Sequence, residues 1–355
     1  MFEDKNPQRT PISELGEFGL IEQLTKHFTL KNAANIKGVG DDAAVMNAAE
    51  NVVLTSTDML VEGVHFDMAY MPLRHLGYKA AAVNFSDIYA MNGHPTQLFV
   101  GLAASNRFPV EALEEIYEGI QLACEVYGVD LCGGDTTASN SGLILSLTVN
   151  GLAKKEDVVY RSGAKPTDLI VVSGDLGAAY MGLQVLEREK QVYLVNPNMQ
   201  PELQGHEYVL ERQLKPEARK DIGELLKALG TKPTAMIDVS DGLSSDLLHI
   251  CKQSGAGCRI YEERIPIDPT VYNLCEEFKL NSTTVVLNGG EDYELLFTIP
   301  IEDHDKIKHN PSLSVIGHIT AEKEGRYLIT RADQAIELTA RGWNALTQNN
   351  QEEEH

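Results

Sequence analysis

The sequence predicts two α/β domains in one chain, and three observations carry that expectation. Its 355 residues exceed the length at which a single hydrophobic core usually stops growing. Apolar residues make up 43% and charged residues 23%, the balance of a chain that folds on its own. Strand-like and helix-like segments alternate on both sides of a charged stretch at residues 154–157, which reads as the join between domains.

The elements follow in order. Residues 1–16 hold turn formers and no apolar periodicity, so they read as a loose arm, with an N-terminal domain over 17–153, a C-terminal domain over 154–347 and a polar tail over 348–355. In the first domain Val52-Val53-Leu54 opens a strand, residues 74–91 carry a helical pattern stopped by Asn92-Gly93, and residues 98–103 form a second strand. Leu113, Ile116, Ile120, Ala123, Cys124 and Tyr127 mark one face of a helix ending at Gly128, and residues 143–149 read as a strand. The second domain continues the alternation with strand 169–172, helix 178–188, a long polar excursion over 189–215, helix 217–229, strand 235–237, helix 243–253 and strand 293–299. No repeat or low-complexity block appears.

Thirty basic against 52 acidic side chains give a formal charge of −22, which repels nucleic acid and anionic membrane surfaces. No apolar run approaches the ~20 residues of a membrane span, and the five cysteines contain no Cys-x-x-Cys pair. A reducing, cytoplasmic setting is the expectation. So acidic a chain still binds anionic metabolites when divalent cations stand between carboxylate and phosphate.

Five turns provide such carboxylates: Gly38-Val39-Gly40-Asp41-Asp42, Thr55-Ser56-Thr57-Asp58, Cys132-Gly133-Gly134-Asp135, Ile237-Asp238-Val239-Ser240-Asp241-Gly242 and Leu287-Asn288-Gly289-Gly290-Glu291-Asp292. Each follows an apolar segment, and strand ends are where α/β proteins place ligands. Taken singly each is also an ordinary Asp-Gly turn; their coincidence points to hard oxygen ligands and to magnesium above calcium or zinc. Asp87 lies among small apolar residues (Ala80-Ala81-Ala82-Val83-Asn84-Phe85-Ser86), so it needs an ion or a hydrogen-bond partner such as Asn84 or a lysine. Gly38-x-Gly40-x-x-Ala43 imitates a dinucleotide fingerprint, but Asp41 and Asp42 would face the pyrophosphate, and no Gly-x-x-x-x-Gly-Lys loop exists. The run Arg161-Ser162-Gly163-Ala164-Lys165-Pro166 reads either as a phosphate grip or as a solvated linker. His65 and Trp343 are substrate-contact candidates, with surface exposure and packing as the plainer alternatives.

These blocks, in this order, resemble the thiamine-monophosphate kinase family, of the superfamily that includes aminoimidazole ribonucleotide synthetase and selenophosphate synthetase. The resemblance runs from Gly16-Glu17-Phe18 to Trp343 and rests on Gly40-Asp41-Asp42-Ala43, Ser56-Thr57-Asp58, the Ala82 to Asp87 block, Gly133-Gly134-Asp135-Thr136-Thr137, Arg161 to Pro166, Asp238 to Gly242, and Gly289-Gly290-Glu291-Asp292-Tyr293-Glu294-Leu295. It implies an α/β fold whose N-terminal half carries a mixed sheet that forms a barrel in a homodimer. It also implies ATP-dependent phosphorylation of thiamine monophosphate to thiamine diphosphate, the final step in making that cofactor, by in-line transfer with several Mg2+ ions and no protein general base. By motif match Asp42, Ser56, Thr57, Asp58, Asp87, Asp135, Asp238 and Asp241 would hold magnesium; Tyr127, Gly134, Arg161 and Ser240 would contact ATP; His65, Glu291 and Trp343 would face the thiamine. The N-terminal arm, the excursion over 189–215 and the tryptophan at 343 depart from the family pattern. Two alternatives stay open: an amidine-forming ATP-dependent synthetase of the same superfamily, and a non-catalytic metal-binding protein.

Overall fold

The computed structural model describes residues 23–33, 35–37 and 45–340. They fall into two compact units, one ending at 88 and resuming over 93–157, the other made of 89–92 and the residues from 158 onward. Both mix helices and strands, as the sequence predicts.

In the first unit a short pair, β1 (Asn35–Lys37) and β2 (Val45–Met46), precedes a four-stranded sheet of β3 (Val52–Val61), β4 (His94–Ala104), β5 (Asp130–Ala138) and β6 (Leu143–Ala153), ordered β3-β6-β4-β5. Strand β6 is antiparallel to both neighbours while β4 and β5 are parallel, so the sheet is mixed. Along β6 the burial has a period of two: Leu143, Leu145, Leu147 and Val149 are buried, and Ile144, Ser146, Thr148 and Asn150 only half so. Such a strand has one covered and one open face. On β3 the same alternation turns Leu54, Ser56, Asp58 and Leu60 inward and leaves Val53, Thr55, Thr57 and Met59 exposed.

Helix α1 (Leu73–Ala90) lies on the covered face, where Ile88 leaves no room for a side chain at Gly151 of β6. It is small or apolar nearly all round, and Leu76, Tyr78, Ala80, Ala81, Ala82 and Phe85 are buried, as expected of a helix enclosed on every side. Helix α2 (Val110–Tyr127), capped by Gly128 at φ +73°, crosses it backbone to backbone. A methyl group on Gly77 would lie 1.8 Å from the Ile116 carbonyl oxygen, and one on Gly119 1.9 Å from that of Arg74. At the sheet edge the Asp130 carboxylate accepts the backbone N–H groups of Lys31 (2.7 Å) and Asn32 (2.8 Å) and the side-chain amide of Asn35, binding the segment before β1 to β5.

The second unit has a seven-stranded sheet made of β7 (Leu169–Ser173), β8 (Ala235–Asp238), β9 (Ala256–Tyr261), β10 (Leu295–Ile299), β11 (Leu313–Ala321), β12 (Arg326–Ile329) and β13 (Ala335–Glu337), ordered β13-β12-β9-β11-β7-β10-β8. Its longer helices are α3 (Ala178–Val195), α4 (Glu207–Leu214), α5 (Lys220–Ala228), α6 (Leu243–Ser254), α7 (Pro269–Phe278) and α8 (Ser282–Asn288). Val172 and Leu296 join one core with Leu247 and Ile250 of α6, while Val171 and Phe297 join another with Ile222 and Leu226 of α5. Both faces of β7 and β10 are thus covered, which is why these strands are apolar along nearly their whole length, Thr298 and the final Ser173 apart.

Three expectations change here. Helix α3 continues to Val195 instead of ending at 188, and residues 207–214, inside the supposed polar excursion, form α4 with Val209, Leu210 and Gln213 buried. Gly182 makes that packing possible, since a Cβ there would stand 2.1 Å from the Val209 carbonyl oxygen. The strand expected from residue 293 begins at Leu295, because Tyr293 has a left-handed φ of +51° that no strand accommodates.

Candidate active site

In the first unit the inward alternation of β3 aims Ser56 and Asp58 at α1. The Ser56 hydroxyl donates to the Asp87 carboxylate at 2.5 Å, and the Asp58 backbone N–H donates to Asn84 Oδ1 at 3.2 Å. Asn84 in turn donates to the Ala80 carbonyl one helical turn earlier, which fixes its rotamer. Asp87 therefore meets a serine, and Asn84 serves Asp58. Burial pushes the Asp58 carboxyl up to about 6, and the nearby Asp87 carboxylate adds to the effect. Two carboxylates this close are well placed to share a cation, which would replace their repulsion with attraction.

Thr57, between them in sequence, points to the open face, where its hydroxyl meets the Leu147 carbonyl (2.9 Å) and the Thr148 hydroxyl (2.8 Å). Asp135 is exposed on β5, opposite Gly101 of β4, at the other edge of the sheet. Three strand spacings separate β5 from β3, about 14 Å. The first unit thus brings Ser56, Asp58 and Asp87 together and leaves Thr57 and Asp135 apart from them. Gly134 sits beside Asp135 on the same edge strand, where a side chain would strike the Val100 carbonyl at 2.0 Å.

The second unit holds another acidic nest. Asp238 ends β8 and is buried, Asp241 is half-buried in the following turn, and Asp246 lies buried in the first turn of α6. Asp246 accepts the Asp241 backbone N–H at 3.2 Å and so shapes the turn bearing Ser240 and Asp241. Burial, then the charges of Asp238 and Asp241, raise its pKa to about 8. Sequence reasoning passed over Asp246; its spacing from Asp241 would have placed it facing back across the helix N-terminus.

The turn at residues 288–293 is laid directly on this nest. Glu291 N–H donates to the Ser240 carbonyl (2.8 Å) and Tyr293 N–H to that of Val239 (2.9 Å), while Val239 N–H returns a bond to the Glu294 carbonyl (2.8 Å). Gly290, Glu291 and Tyr293 all have positive φ, at +69°, +58° and +51°. Non-glycine residues there are strained by about 1–2 kcal/mol each, and such strain persists only where neighbours over-determine it. The neighbours here are Asp292, which accepts Gly177 N–H at 2.9 Å, and Glu294, which is held by Ser173 (2.5 Å), Arg212 (2.9 Å) and Arg219. Arg212 also donates to the carbonyls of Asp175 (3.1 Å) and Asp292 (3.3 Å), and Gln213 donates to the Glu291 carboxylate at 2.9 Å. The contacts of these arginines with Glu294 and of Gln213 with Glu291 carry no local sequence signal, because they join residues 75 to 82 positions apart.

The remaining candidates fall elsewhere. Tyr127 is buried and packs on Phe85, with ring centroids 5.4 Å apart. His65 closes the turn after β3, its Nδ1 accepting the Val61 backbone N–H at 3.0 Å, which places the ring proton on Nε2. Arg161 is exposed beside the Tyr160 carbonyl, which accepts Met236 N–H of β8, and the loop after it is tied down by Ser254 and by Asp168. Asp42 and Trp343 lie outside the described residues.

The donors suit magnesium. Carboxylate and hydroxyl oxygens arranged in ones and twos are what this ion takes, leaving positions for water and substrate phosphate. Among the described residues no group of three His, Cys, Asp or Glu side chains could cage an ion unaided. Also among the described residues, no helix is long and apolar enough to cross a membrane.

Comparison with known proteins matches residues 40–153 to the family described as AIR synthase related protein, N-terminal domain, and residues 155–329 to its C-terminal domain. The thiamine-monophosphate kinase of Bacillus subtilis (strain 168) is 33% identical over 337 residues, 93% of this chain and 99% of that one. A solved structure described as AaThiL complexed with AMPPCP and TMP is 32% identical and superposes with a TM-score of 0.71, covering 93% of this chain and 97% of that one. The structure of thiamine-monophosphate kinase from Stenotrophomonas maltophilia K279a is 29% identical with a TM-score of 0.75, covering 90% and 96%.

Proposed function

The chain belongs to the AIR synthase related family and, within it, to the thiamine-monophosphate kinases, and from that membership we propose that it transfers the terminal phosphoryl group of ATP to thiamine monophosphate, forming thiamine diphosphate. The relative solved with AMPPCP and TMP supports the pairing of substrates. The observation in this chain that carries the reading is the Ser56, Asp58 and Asp87 constellation, an oxygen-rich nest in which burial and a second carboxylate hold Asp58 at about 6.

Magnesium bound at such nests would neutralise the charge between two polyanions and leave the phosphorus open to in-line attack. The chain's own part is positioning. Ser56 and Asn84 hold the acids of the first nest, and Asp246 holds the turn carrying Ser240 and Asp241 in the second. The nucleophile is an oxygen of the substrate monophosphate, already largely ionised at neutral pH because its second pKa is ~6. No side chain need remove a proton. Glu291, in its strained turn, would face the cationic thiazolium ring, with His65 and Trp343 as further substrate contacts and Tyr127, Gly134 and Arg161 toward ATP.

A homodimer fits the first unit. Its sheet has an open face carrying Val53 and Met59, and β3 and β5 are the sheet's outer strands. A second copy paired along these edges would cover that face and close the sheet into a barrel. The five cysteines, all buried and unpaired, suit a reducing cytoplasm.

The purified protein with ATP, Mg2+ and thiamine monophosphate is expected to form thiamine diphosphate and ADP in equal amounts. Asp58→Asn should lower kcat at least a hundredfold without unfolding the chain. ADP release with no diphosphate product would overturn the substrate, and full activity of Asp58→Asn would overturn the site.

A further inference from the structure

We infer that Gln213 of helix α4 is a positioning residue for Glu291, and that the 189–215 segment exists in part to deliver it. The inference rests on the reading of Glu291 as a contact for the cationic end of the substrate. Three observations lead to it.

The first is the choice of partner. Gln213 is only 4% exposed, and its amide donates to Glu291 at 2.9 Å. An amide donor orients a carboxylate without cancelling its charge, whereas an arginine or lysine would neutralise it. The adjacent residue is an arginine, yet Arg212 is directed away, to the buried Glu294 carboxylate and to the carbonyls of Asp175 and Asp292. Two neighbours on one helix thus divide the work. The cation stabilises the buried acid that anchors the turn, and the neutral donor holds the half-buried acid that projects from it.

The second observation is backbone strain. Gly290, Glu291 and Tyr293 are all left-handed, and the bonds from Glu291 and Tyr293 to Ser240 and Val239 fix the peptide path without fixing the Glu291 side chain. A glutamate side chain has three rotatable bonds, and the bond from Gln213 restricts that freedom. The third is the closeness of the helices. Gly182 of α3 admits the Val209 backbone at a distance no side chain would permit, so α4 is held in register and carries Gln213 to one place.

Gln213→Met keeps the length and removes the donor; Gln213→Lys keeps a donor and adds charge. Steady-state kinetics for both substrates, calorimetric titration with thiamine monophosphate and melting temperature are measured for each, beside Glu291→Gln. Gln213→Met is expected to raise the KM and Kd for thiamine monophosphate about tenfold, with the KM for ATP, kcat and melting temperature little changed. Gln213→Lys should weaken binding further by neutralising Glu291. The proposal is overturned if Gln213→Met leaves thiamine monophosphate affinity intact while Glu291→Gln lowers it. It is equally overturned if both substrates are affected alike along with a fall in melting temperature, the mark of a merely structural residue. Unchanged affinity in Glu291→Gln itself would instead remove the underlying reading of Glu291.

Discussion

Individual carboxyl groups are where this structure stores its tension. Asp58, Asp292 and Asp246 are raised to about 6, about 7 and about 8, each chiefly by burial. A carboxyl with a higher pKa folded than unfolded contributes most to stability below its unfolded value near 4 and loses that contribution as pH rises through its folded value. Metal-free protein is therefore expected to melt at progressively lower temperature from pH 5 to 8.5. Asp292→Asn should flatten the portion below about pH 7, as thermal melts at fixed ionic strength will show; a variant profile parallel to wild type would mean that Asp292 ionises freely. Asp58 and Asp87 were legible in the sequence because one follows a strand-like run and the other sits among alanines where a bare charge cannot stay. Gln213 was not, since nothing within a few residues of it says which side chain it will meet, and Asp246 was legible only through its spacing from Asp241.

Secondary elements were readable wherever the apolar period was regular. The α2 face of Leu113, Ile116 and Ile120 and its stop at Gly128 emerge as expected. Helix α4 escaped because Val209, Leu210 and Leu214 are its only strongly apolar residues, set among polar and charged neighbours, and its packing comes from α3. Contact between helices also decides what glycines do here. Gly77→Ala should destabilise the chain by about 3 kcal/mol or prevent folding, because its methyl group meets backbone at 1.8 Å. Gly223→Ala in α5, where the nearest atom is 3.5 Å away, should stabilise by about 0.5–1 kcal/mol. Chemical denaturation of the two variants tests the contrast, and equal effects would show that helix propensity, not contact, governs both.

For the molecule as a whole, a formal charge of −22 makes unaided ATP binding unfavourable at every approach. Calorimetric titration of ATP is expected to show no binding in EDTA, with affinity restored by Mg2+ and not by an equal ionic strength of potassium chloride. Undiminished binding in EDTA would mean that basic side chains such as Arg161 suffice. Strand β3 adds a constraint of another kind. Because Ser56 and Asp58 face one side and Thr57 the other, the strand is read in a two-residue frame. Losing one codon before Asp58 would exchange the two sets, exporting the acid and importing a threonine, whereas an equal loss in the exposed loop tip at Asn140 and Ser141 would merely shorten the connection between β5 and β6. Length variation among descendants of this chain should therefore collect at such tips and spare the stretch from Leu54 to Asp58.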